Sequence, residues 1–151
     1  MPAAFTRKAA SVNSQNVETM PQNKYLVKQQ FVLDLFEQIS DTSHSIQAVF
    51  LSTTDGHSIA KKVRKELPES KVAAMTSSCM ALGDQLSATV EHKRCEYVII
   101  QNEQGYLALK KVGNKLVLTV VAKADVNLGL LLTATKNAAL KLEDELKRSA
   151  A

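Results

Sequence analysis

Three apolar, β-branched runs follow one another in the second half of the chain: "CEYVIIQ" at 95–101, "YLALKKV" at 106–112 and "KLVLTVV" at 115–121. The stretches between them, Asn102 to Gly105 and Gly113-Asn114, are short turn sequences. A parallel crossover needs a dozen or more residues, so strands joined this tightly must be antiparallel neighbours. The chain is therefore committed to an antiparallel meander, and its remaining elements have to pack on that sheet.

A second strand pair comes earlier. "IQAVFLS" at 46–52 is β-branched and aromatic, and "HSIAKK" follows at hairpin distance across Thr53 to Gly56. Asp55 and Gly56 form the turn signal: a tight primed turn needs positive φ, which Gly adopts without steric cost and Asp tolerates better than most residues. Asp55 and His57 also invite reading as a catalytic pair, but no nucleophile stands at a recognisable spacing from them. Asp55 and Gly56 are taken as a structural hairpin turn.

Three helical patterns surround the strands. Val32, Leu35, Phe36 and Ile39 form the stripe of a first helix ending near 41–44. A second begins around Pro68 to Ser70, where Pro is tolerated and Ser can cap, and runs to about Val90. Its large apolar row, Val72, Met75, Cys79, Leu82, Leu86 and Val90, is expected to lie on the sheet. About 200° around the axis stand Ala74, Ser78, Ala81, Gln85 and Ala88, a small and nearly uncharged row that suits close approach by another helix. The last helix follows Asp125, read as its N-cap, with Leu128, Leu131, Leu132, Thr135, Ala139, Leu142 and Leu146 as its stripe. Helix, two strands, helix, three strands, helix describes an α+β domain with helices on the faces of an antiparallel sheet.

Composition limits the function. The 151 residues suit one domain; residues 1–24, rich in Ser, Asn, Gln, Thr and Ala without apolar period, are expected to be a disordered tail before a domain at 25–148. The apolar runs fall short of a membrane span, and no apolar stretch follows Arg7 and Lys8 as a secretory signal would require, so the chain is placed in the cytoplasm. Cys79 and Cys95 fit no ligand spacing and are read as buried thiols. No metal site and no cofactor are expected, since the chain has no G-x-x-x-x-G-K-[ST], G-x-G-x-x-G or H-E-x-x-H motif and His44, His57 and His92 are widely separated. A net charge of +4 is too mild to demand nucleic acid, and without Trp there is little stacking surface. The basic clusters are Lys61, Lys62, Arg64 and Lys65, then His92, Lys93 and Arg94, then Lys110 and Lys111. A folded face could gather them into one positive surface, although solvated loop charge is the plainer reading.

The order of elements, the "STTDGHSIAKK" hairpin, the Ala/Ser-rich second helix, "CEYVIIQNEQGYLALKKVG" and the closing "VNLGLLLTATKNAALKLEDEL" together resemble the roadblock / dynein light chain family over about residues 27–147. The short form is similar to the prokaryotic single-domain members, including the partner that stimulates a gliding-motility GTPase. This resemblance implies five antiparallel strands in the order 2-1-5-4-3, with the first and third helices on one face and the second on the other. It further implies a non-enzymatic homodimer in which third strands pair edge to edge and second helices run side by side. Tyr97 and Ile99, with the row from Ala74 to Ala88, would then stand at the dimer contact.

Members of that family bind and regulate small Ras-like GTPases or serve as adaptors and scaffolds in motor and signalling assemblies. The implied function is such an adaptor, with any effect on GTP hydrolysis exerted through the partner's own groups or one supplied charge. Arg64 and Arg94 are the arginines in the folded region away from the C-terminus, and the resemblance nominates neither. The alternative is a small-molecule sensor of profilin-like or PAS-like architecture. That needs a cavity with convergent polar groups, whereas Phe31, Phe36 and Phe50 among many Leu and Val are expected to fill the core.

Overall fold

The computed structural model describes residues 28–150; the sequence-based expectation of a tail at 1–24 lies outside them. Three helices, α1 (Gln29–Thr42), α2 (Glu69–Thr89) and α3 (Leu128–Ala150), flank strands β1 (Ile46–Thr53), β2 (Ser58–Val63), β3 (Val98–Asn102), β4 (Gly105–Val112) and β5 (Leu116–Lys123). The sheet is antiparallel in the order β2-β1-β5-β4-β3. Strands β2 and β3 are its edges.

The main core lies between the sheet and the pair α1 and α3. Val32, Leu35, Phe36 and Ile39 of α1 and Leu131, Ala139 and Leu142 of α3 close over Val49, Leu51, Leu118 and Val120. Phe36 is fully buried, Phe50 nearly so, and Phe31 packs half-buried against the cluster. Side chains of this size each contribute roughly 1.5–3 kcal/mol on burial. Helix α2 covers the opposite face with far less: Met80 meets Leu109 and Val117, with Cys79, Cys95, Val98 and Leu107 around them.

Several local expectations are corrected. The β1–β2 connection is a four-residue loop in which Gly56 has φ +98 while Asp55 keeps negative φ, so the tight primed turn does not form. Instead the Gly56 N–H donates to the Thr53 carbonyl at 3.0 Å and the Thr53 hydroxyl binds the Asp55 carboxylate. Strand β3 begins at Val98 and not Cys95, because the Cys95 N–H turns away from the sheet to the Asp84 Oδ1 of α2 at 3.2 Å. The N-cap of α3 is Asn127, whose Oδ1 accepts the Leu130 N–H at 2.9 Å; Asp125 accepts the Ser45 hydroxyl at 2.7 Å. Helix α2 starts from Pro68 without a side-chain cap, with Ser70 inside its first turn.

Candidate functional site

The largest disagreement with the sequence pattern concerns α2. The row expected on the sheet points away from it: Met75, Leu82, Leu86 and Val90 are 64%, 63%, 62% and 53% exposed, while Val72 and Cys79 are half-buried. The buried side consists of Ala73, Thr76 and Met80, continued by half-buried Gly83 and Ser87. These recur at 3, 4, 3 and 4, the same period as the large row, so spacing alone could not choose between the two faces. The choice is made by contact. A β-carbon on Gly83 would lie 2.9 Å from both Cys95 Sγ and Val98 Cγ2, and one on Gly56 would lie 3.5 Å from the Ala74 Cα. At Gly83 only the absence of a side chain permits the helix to sit this close, whereas the Gly56 distance is ordinary contact; the Ser77 hydroxyl fixes the helix by donating to the Thr54 carbonyl.

The first part of the displaced apolar row, from Val72 to Leu82, forms one wall of an open groove of about 590 Å³ between α2 and the β3–β4 edge, lined in part by Met75, Cys79, Leu82, Ile100, Leu107 and Leu109. Its polar members do not converge on the space: the Thr76 and Ser78 hydroxyls donate to carbonyls of their own helix at 3.2 Å. Monomeric proteins rarely leave a contiguous patch of large apolar side chains open, which makes this face a candidate contact surface.

Ala74, Ser78, Ala81, Gln85 and Ala88 are all exposed beside that row. Tyr97 and Ile99 lie elsewhere. The Tyr97 hydroxyl donates to the Leu132 carbonyl of α3 at 3.2 Å, which places Tyr97, and by strand alternation the 41% exposed Ile99, on the α3 side of the sheet. Ile100, 39% exposed, shares the groove with Leu82 and was missed by the sequence reading; its alternation with Val98 could have revealed it.

The two sheet edges differ. Edge strand β2 carries Lys61 and Lys62, latched in opposite directions to Glu69 of α2 at 3.3 Å and Glu37 of α1 at 2.7 Å. Lysines on an edge discourage strand addition. Edge strand β3, "VIIQN", carries no charge at all.

Several of the basic residues are engaged within the fold. Lys110 pairs with Glu96 at 3.1 Å and stands 4.5 Å from the Tyr97 ring centre; Lys111 pairs with Asp84. The hydrogen bond from Lys111 holds the Asp84 carboxyl below the usual carboxylate range, and Lys110 does the same for Glu96. Arg64 donates to the Ser40 and His44 carbonyls at 3.1 and 2.9 Å, satisfying the C-terminal end of α1. Both contacts tie its guanidinium to the end of α1. Among the described residues, no group of three His, Cys, Asp or Glu side chains is placed to hold a metal, and no helix is long and apolar enough to cross a membrane.

Residues 29–122 match the Roadblock/LC7 domain. The chain belongs to the Roadblock/LC7 domain family. This roadblock domain is similar in structure to Myxococcus xanthus MglB, with TM-score 0.72 and 18% identity over 77% of this chain and 87% of that one. It resembles the gliding protein MglB of Thermus thermophilus equally well, with TM-score 0.72 and 18% identity over 79% and 90% of the two chains. Acanthamoeba castellanii profilin IB shares the architecture more loosely, with TM-score 0.56 and 11% identity over 73% and 94%. At these identities the structural likenesses speak for the fold. None of the curated protein sequences matches the chain.

Proposed function

We propose that this roadblock domain is a non-catalytic homodimeric adaptor that works in the cytoplasm, where it binds and regulates a small Ras-like GTPase. The observation that carries the reading is the outward apolar row of α2 lying beside the uncharged β3 edge. A second copy related by a two-fold axis would extend the sheet through β3 and lay its own α2 on the same face, covering both features at once. The small row from Ala74 to Ala88 would let the two helices approach closely, and Ile100 with Leu82 would seal the seam. Membership of the roadblock family supports the GTPase as partner, as does similarity to MglB. The groove's apolar lining, without convergent polar groups, favours a protein occupant over a sensed small molecule.

A direct test passes a panel of purified prokaryotic Ras-like GTPases, each loaded with GDP or GTP, over the immobilised protein and then follows GTP hydrolysis with and without it. At least one member is expected to be retained in a nucleotide-dependent way, with an altered hydrolysis rate. A protein that retains none of them in either state does not have this function.

A further inference from the structure

We propose that the loop joining α2 to β3 presents Lys93 and Arg94 as an electrostatic contact for an acidic protein surface, which under the function proposed above belongs to the GTPase. The loop is held at both ends. At its start the Glu91 N–H donates to Ala88 O at 3.0 Å and the His92 N–H to Ser87 O at 2.8 Å, closing the helix end with Glu91 at φ +61. That left-handed position is usually given to Gly, so the chain here accepts strain to fix the path of the next residues. At its far end the Cys95 N–H binds Asp84, the Cys95 side chain lies against Gly83, and Lys110 Nζ binds the Glu96 carbonyl at 3.1 Å. Between these pins His92, Lys93 and Arg94 are exposed.

Their charge is not consumed within the fold. Asp84 and Glu96, the carboxylates whose titration Arg94 influences, are already paired to Lys111 and Lys110. Among the described residues Lys93 and Arg94 form no ion pair within the molecule. Glu91 offsets part of the charge, and Lys136 of α3, which also acts on Glu96, adds to it. A pinned loop loses little freedom on binding, and unmatched charge steers an acidic partner into place. Two or three cations hold a lipid surface or a duplex only marginally, which favours an acidic protein surface as the partner.

The experiment compares the full chain with its Lys93→Glu/Arg94→Glu double variant and, as a milder control, Lys93→Ala/Arg94→Ala. Melting temperature and light-scattering mass should be unchanged in both, since these side chains are exposed. Labelled poly-L-glutamate serves as the acidic probe, with phosphatidylserine vesicles and duplex DNA in parallel. Wild type should bind polyglutamate at about 50 mM salt and lose most of the binding by about 300 mM, as screening requires. The charge-reversed variant should bind about tenfold or more weakly, with the alanine variant in between. Equal affinity of wild type and reversed variant for polyglutamate, or lysine- and arginine-dependent binding to vesicles or duplex in preference to it, would overturn the proposal. If no GTPase in the panel is retained, the proposed function fails while the polyglutamate comparison still decides this contact.

Discussion

Gly83 of α2 and Cys95 of the following loop approach so closely that a β-carbon on Gly83 would stand 2.9 Å from the Cys95 Sγ. This contact, together with Val98 on the same spot, decides how near α2 sits to the sheet and therefore which of its faces is left outside. Replacing Gly83 with Leu should force the helix off its seat at a cost of about 1–3 kcal/mol, despite the better helix propensity of Leu. Urea unfolding measures it; a Gly83→Leu protein as stable as wild type would show that the close approach does not hold α2.

Glu91 offers the opposite case. It occupies the left-handed position at the end of α2 with φ +61. Glycine pays no steric penalty there, so Glu91→Gly should stabilise the protein by about 1 kcal/mol and raise its melting temperature. A lower melting temperature would mean that the Glu side chain makes a contribution larger than the backbone strain it carries.

Acid should loosen the clasp between α2 and β4. Asp84 accepts the Cys95 N–H and pairs with Lys111, and the Lys111 hydrogen bond lowers its pKa in the folded state. A carboxylate whose folded pKa lies below its unfolded value of about 4 adds stability that is fully present above that value and is lost as pH falls through the folded one. Because both side chains are partly exposed, the pair is worth less than about 1 kcal/mol at neutral pH. In Lys111→Met the fall in stability below about pH 4 should therefore be shallower than in wild type. Denaturant midpoints taken along an acid series give the two slopes, and identical slopes would rule out the clasp as a source of acid sensitivity.

The proposed dimer makes separate demands on the two rows of α2. Ala81→Glu would set like charges near the two-fold axis, and Leu82→Glu would put a carboxylate into the apolar groove; either should cost several kcal/mol per dimer and give a monomer. Thr133→Glu, on the outer side of α3, should leave the mass unchanged. Light scattering at tens of micromolar distinguishes the cases. A monomeric wild type, or variants that dimerise as well as wild type, would remove this interface, and a folded monomer that still binds the GTPase normally would break the link between dimer and partner.

Much of the architecture was written locally. The short connections at 102–105 and 113–114 exclude crossovers, which made the meander antiparallel before any contact was known. The stripes of α1 and α3 each offer one apolar face against a polar one, so their inward sides were legible, and Phe36 and Leu142 are buried as the pattern requires. Gly56 was legible as the turn residue for the same kind of reason, since positive φ is a property of one residue and its own backbone.

What the chain could not state locally is where a low-charge helix puts its large side chains. Helix α2 has two rows of equal period, and the hydrophobic rule assigns the larger one to the core. Tertiary structure reversed that assignment, because the loop at Cys95 and the strand at Val98 come up against Gly83 and leave room only for Ala73, Thr76 and Met80 beneath the helix. Likewise the sequence carried the basic residues but not their partners: Arg64 is drawn to the end of α1 and Lys111 to Asp84 by pairings across 24 and 27 positions. Periodicity is a property of one segment, whereas the distance between a helix and a sheet, and the choice of ion partner, belong to segments that meet only when the chain is folded.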